Sequence, residues 1–411
     1  ALVSNTTGHS NVAVGYNASY SHTTGYCNTV MGYQAMNNGT TYRHSAAFGY
    51  QALYNNTTGH YNTAFGNQAL VANTTAEANV AVGHHALYTN TTVSYLTAVG
   101  QSALYSNTTG SGNTAVGSSA LYANTTGGGN IAVGNGALDA NTTGNYNTAV
   151  GNSALGTTTT SNGNTAVGYN ALFDSDGNTE STAIGAYAGQ NITTGDYNCA
   201  MGYTALNACT TNSYNVALGN ESLYNCVSDS CTAVGWRAGF SVTTGGYMVA
   251  VGYKAGYTNS TASQNTFVGY RAGQDANASD VTYIGYDSGL HATGASNTAV
   301  GHRSMDASSC DGDKNTAIGR ETLGNMTTGM QNTALGYFAG YDITTGNYNT
   351  FLGTSAGASQ ATGHDNVYIG RECGENNGTN GEVMIYNGTN TARFQGSDTS
   401  WSITSDGRDK T

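Results

Sequence analysis

The sequence predicts an all-β fold, a parallel β-solenoid of about 22 coils with a period near 17 residues, and three observations carry that prediction. The first is a glycine that returns at fixed spacing. Gly15, Gly32, Gly117, Gly134 and Gly151 belong to a run of thirteen that are 17 residues apart, and Gly235 to Gly370 continue it at intervals of 16, 17 or 18. The second is the cassette ahead of each glycine, cleanest as Asn113-Thr114-Ala115-Val116-Gly117. The third is composition: 58 glycines, no proline and 8% charged residues, with apolar positions too regular for a disordered chain.

Within the cassette, the residue before the glycine is always apolar, and the one before that is Ala in 17 of 22 copies. Alternation over so short a run predicts a strand of about four residues with Ala on one face. The glycine suits a corner that needs positive φ. Three and four residues later comes a small residue and then Leu, as in Ala103-Leu104 and Ala120-Leu121, which predicts a second inward-facing segment. The remaining arc, such as Asn107 to Gly110, has turn chemistry. Asn opens 16 of the 22 cassettes, so stacked coils would build an Asn ladder along one corner.

A lone coil has too few apolar side chains to offset the entropy of ordering it, so stacking is obligatory. The small interior leaves the Ala face in search of a partner. The expectation is a homotrimer of parallel coils around a shared axis, a rod of roughly 100 Å at the usual strand spacing. Residues 1–234 read as the shaft with Ala-Leu coils. Over 235–380 the pair becomes Ala-Gly, as at Ala238-Gly239, while Phe267, Tyr283, Phe351 and Tyr368 enter the Ala position. Core volume therefore moves from one side of the coil to the other. Residues 381–404 read as a β cap, and 405–411 as the start of a further motif.

The formal charge of -12 excludes the basic footprint that nucleic acid or an anionic membrane requires. No apolar run is long enough to span a membrane. Arg43 is the only Lys or Arg before Arg237. Because Ala1-Leu2 match the pair that follows a cassette glycine, the chain is expected to be a piece of something longer. The seven cysteines show no CxxC pairing and read as small buried hydrophobes, and no metal or cofactor set is visible. Tyrosines one place after the glycine, including Tyr16, Tyr33, Tyr50, Tyr253 and Tyr270, offer a candidate glycan platform, against the plainer reading that they cover the coil edge. Asn107, Asn124 and Asn141 stand in glycosylation sequons created by the Asn-Thr-Thr turn.

From Asn11 to Gly370 the cassettes resemble the head repeats of trimeric autotransporter adhesins, which implies left-handed β-rolls in trimers. The longer period here departs from that family. The closing Ser405-Asp406-Gly407-Arg408-Asp409-Lys410 resembles the opening of the autocleaving chaperone that follows phage tail fibres and tailspikes. The resemblance implies Ser405 as nucleophile and Lys410 as its assistant, with cleavage between Thr404 and Ser405. Together these imply a non-enzymatic tail-fibre shaft on the virion surface, pairing with itself and with a host polysaccharide or protein receptor. A cellular extracellular filament or adhesin, glycosylated at its sequons, is the alternative.

Overall fold

The computed structural model describes residues 1–374, 378–395 and 402–405, and contains no helix among them. It divides into two units, Ala1–Ser213 and Tyr214–Thr411. Each is a parallel β-solenoid. The first holds twelve three-residue strands, β1 (Val12–Val14) to β12 (Cys199–Met201), and the second holds ten more, β13 (Val216–Leu218) to β22 (Val367–Ile369). Neighbouring strands pair in parallel and in repeat register: Thr114 lies against Ile131, Ala115 against Ala132, and Val116 against Val133. In the second unit Val249, Ala250 and Val251 face Thr266, Phe267 and Val268.

The ladder continues past the strands and around the corners. Gly117 N–H donates back to Val99 at 2.7 Å and Ser119 N–H to Gln101 at 2.8 Å, whereas Leu121 N–H donates forward to Ala137 at 3.0 Å. Alternation of this kind needs left-handed backbone at two ordinary residues per turn, and Ser119 and Leu121 adopt φ of 56° and 52°. Each such residue costs about 1–2 kcal/mol, which the coil recovers through its ladder bonds and buried core. Glycine is required at the cassette corner for two reasons. Gly117 has φ of 139°, and a Cβ there would be driven into the carbonyl of Gly134 on the next coil.

The interior differs from the sequence expectation in one respect. The Ala face is not turned toward a partner: Ala115 has no exposed surface and packs inside its own coil with Ala120 and Leu121. The face left outward carries the residue before the glycine, with Met31 46%, Phe65 56% and Val133 36% exposed. The reason is width. A 17-residue coil closes so tightly that only a methyl fits where the strand meets the Ala-Leu segment, and the larger side chain must point away.

Asn ladders line the interior, and there are two. In the cassette row, Asn113 Nδ2 donates to Gly127 O at 2.7 Å and its Oδ1 accepts from Asn130 N at 2.8 Å. In the turn row, Asn141 Nδ2 donates to Asn124 Oδ1 at 2.8 Å, and Asn124 Nδ2 to Asn107 Oδ1 at 2.9 Å. These amides satisfy corner backbone groups that no strand partner can reach.

The exchange of core volume predicted beyond Gly235 is present. Gly256 and Gly273 keep the left-handed φ of the Leu they replace, 57° and 55°, and the ring of Phe267 fills the space where their side chains would stand. The ring of Phe351 does the same at Gly340 and Gly357, whereas Ile192 contributes at Gly189 and Met248 with Val242 at Gly239, each fully buried. After β22 the sheet gains β23 (Glu382–Tyr386) in parallel. It then turns antiparallel through β24 (Asn390–Gln395) and β25 (Ser402–Ser405). Glu382 is buried, accepts from the Tyr368 hydroxyl at 2.8 Å and pairs with Arg393. Of the predicted cap residues, Val383 faces Phe394 and Ala392 faces Ile403, while Trp401 lies outside the described residues.

Candidate functional site

Every coil places the residue after its cassette glycine at the same external corner, so equal residue types in that position form a row. In the first unit Tyr16, Tyr33 and Tyr50 stack at 5.2 and 5.4 Å between ring centres. In the second, Trp236, Tyr253, Tyr270, Tyr286 and His302 form five consecutive rungs at 4.9 to 5.2 Å, with planes within 19° of parallel. Four places further along the coil runs a second row, Tyr224, Phe240 and Tyr257, at 5.2 to 5.3 Å.

Parallel rings 5 Å apart cannot lie side by side in one plane without clashing, so their faces overlap. The rows therefore present ring edges and phenol hydroxyls outward, and a whole ring face is free only where a row ends. The sequence anticipated the rows but not this consequence for a sugar platform.

Three cations stand beside these rows in the second unit, Arg237 and Lys254 between the two and Arg271 against Tyr270. The Arg237 guanidinium lies 4.5 Å from the Trp236 ring centre and 5.2 Å from Phe240, and it pairs with Glu221 at 2.5 Å. Lys254 Nζ sits 5.2 to 5.8 Å from Tyr257, Trp236 and Tyr253. Arg271 makes a two-pronged pair with Asp287, at 2.8 and 2.5 Å, which pushes its pKa up. Contact between cations and ring π-systems supports such an arrangement at a half-exposed surface. The face offers edge-on aromatics, hydroxyl donors and an ammonium held among rings, the chemistry that sugars and acidic groups recognise. Sequence reading missed the cation row because Arg237, Lys254 and Arg271 are 17 apart, and only stacking brings them together.

The other predicted positions fall as follows. Asn107, Asn124 and Asn141 are fully buried, and their Nδ2 atoms donate to Gly110, Gly127 and Gly144. A glycan on those nitrogens would occupy the core, so the glycosylated alternative has no acceptor there; Asn5, Asn277 and Asn325, which also stand in sequons, are exposed. Ser405 closes β25 opposite Asn390, and Lys410 lies outside the described residues. Asp306 and Glu321, which sequence reading did not bring together, line one open hollow with Arg303 and Tyr341. Burial pushes the Asp306 carboxyl up in pKa, and its ion pair with Arg303 at 3.1 Å opposes that shift.

No family model, no curated protein and no solved structure is found to match this chain.

Proposed function

We propose that this chain is a shaft segment of a phage tail fibre, a structural and adhesive element that reaches from the virion to the host surface. The observation that carries the reading is a stack of near-identical rungs followed by Ser405-Asp406-Gly407-Arg408-Asp409-Lys410, the residues that resemble the start of a fibre-maturation chaperone. Neither feature suits a monomeric enzyme, and both suit a fibre matured by removal of its chaperone. The chain contributes Ser405 as the nucleophile of that cleavage, and the chaperone supplies the remainder of the machinery.

An exposed apolar row supports the reading. The outward row before the glycine is apolar in every coil and half-exposed in many, including Met31, Phe65 and Leu335. Three parallel copies would cover these rows against one another, with the outward row, not the Ala face, at the shared axis. The ladder of Trp236 to His302, with its flanking cations, is the candidate contact for a host polysaccharide or protein receptor. A glycan-coated cellular filament is the weaker reading, since three of its proposed acceptors lie in the core.

Appending an autocleaving tail-fibre chaperone after Thr411 tests the proposal. The expected product ends at Thr404, and Ser405→Ala stays uncleaved. A wild-type fusion that folds and remains intact would overturn the fibre assignment.

A further inference from the structure

Cys226 and Cys231 occupy the two Asn-ladder positions of a single coil. Cys226 stands seven places after Gly219, where Asn124 stands after Gly117, and Cys231 stands four before Gly235, where Asn130 stands before Gly134. This coil is also one residue short, 16 instead of 17, so the two positions are five apart in sequence where they are otherwise six. Both cysteines are fully buried. Ser228 Oγ lies 3.5 Å from each sulfur, between the two. On the following coil the same two positions are held by Val242 and Met248, and on the preceding one by Cys209 and Asn215, whose Oδ1 accepts from the Cys231 N–H at 2.9 Å.

In the ordinary coils this corner is held by amide hydrogen bonds near 2.8 Å. Here the sulfurs make only long contacts, to Ser228 O at 3.5 Å and Gly245 O at 3.6 Å. A coil that has lost both amides, shortened its turn and brought two sulfurs onto one hydroxyl has the ingredients of a covalent substitute. We propose that Cys226 and Cys231 form an intramolecular disulfide that replaces the Asn ladder in this coil.

The bond forms by thiol–disulfide exchange while the chain folds, with a small-molecule disulfide as oxidant. The Cys231 thiolate attacks one sulfur of the oxidant and expels the other as a thiolate, leaving a mixed disulfide. The Cys226 thiolate then attacks the protein sulfur of that mixed disulfide, forms the Cys226–Cys231 bond and expels the second small thiolate. Two protons leave the protein, and the oxidant takes up the two electrons. Once neighbouring coils stack, complete burial shields the bond from reductants.

The test counts thiols. The full chain is folded in a buffer of oxidised and reduced glutathione, then unfolded without reductant and titrated. Five reactive thiols are expected of the seven cysteines, and all seven after reduction. Cleavage before Asp229 separates the two residues, so their peptides remain joined only through the disulfide. Seven thiols in the glutathione-folded protein would overturn the proposal, as would either cysteine linked to another partner. Cys231→Ser gives an internal check: six free thiols agree with the pairing, and four would assign the bond elsewhere.

Discussion

At the scale of single residues, two requirements of the coil are exposed to direct test. The corner glycine is constrained by φ and by contact at once, so Gly117→Ala should destabilise the first unit by about 2–5 kcal/mol in urea unfolding. Gly112 is the matched control: it has φ of 68° but its Cβ position meets only Gly129 backbone at ordinary contact distance, and Gly112→Ala should cost about 1–2 kcal/mol. Equal losses at the two positions would show that backbone conformation alone governs the corner. A second test concerns His22, which takes the turn-row Asn position and is buried, with its Nε2 2.9 Å from Gly25 O. Burial lowers its pKa from 6.5, the Gly25 hydrogen bond opposing that shift only in part. The unfolded chain then binds the proton first. The contribution of His22 is complete above pH 6.5 and is lost as pH falls toward the lowered folded value. His22→Asn should flatten that part of the stability profile, and an unchanged acid slope would show that another group carries it.

At the scale of the element, a coil is a packing unit with interchangeable solutions. Leu at the fourth place after the glycine, Ile or Val at the seventh, and an aromatic ring in the strand fill the same interior by different routes. Phe267→Ala should cost about 3–5 kcal/mol by emptying the space between Gly256 and Gly273. Restoring Leu at Gly256 in that background should recover part of the loss, because the backbone there already has the φ of the Leu coils, whereas Gly256→Leu alone should collide with Phe267. A double-mutant cycle over these two sites measures the coupling, and strict additivity would exclude the exchange. The Asn ladder is the polar counterpart. Asn124→Ala removes a donor to Asn107 and Gly127 and an acceptor for Asn141, so it should cost about 1–3 kcal/mol through buried groups left unpaired.

At the scale of the molecule, the proposed function makes claims about association and attachment. Light scattering on the purified chain should give three times its 42.1 kDa mass, and a monomer would remove the shared-axis arrangement. Replacing Phe65 and Met31 by Glu on the outward row should lower that mass while the circular dichroism of the coils is retained. Attachment should depend on the second unit's aromatic ladder. Trp236→Ala with Lys254→Ala should reduce binding to host cells with little change in unfolding midpoint, because both side chains are only part-buried. A loss of folding instead would reassign the pair to structure.

The amino-acid sequence by itself determined the coil, its length and its internal order. A residue that returns every 17 places must return to the same site when coils stack, so the spacing alone places Gly117, Ala120, Leu121 and Asn113. Even the move of core volume to Phe267 and Tyr283 was legible, since a glycine gained and a ring added are both visible in one repeat. Tertiary structure decided what depends on distance across the coil. It turned the Ala face inward, because in the Ala-Leu coils Leu already fills the interior and leaves room there only for a methyl, and so left the apolar row outside. It took the turn-row asparagines out of solvent, although their sequons look like surface turns. It also gathered Arg237, Lys254 and Arg271 along the aromatic rows, a juxtaposition that arises only when residues one period apart become neighbours in space.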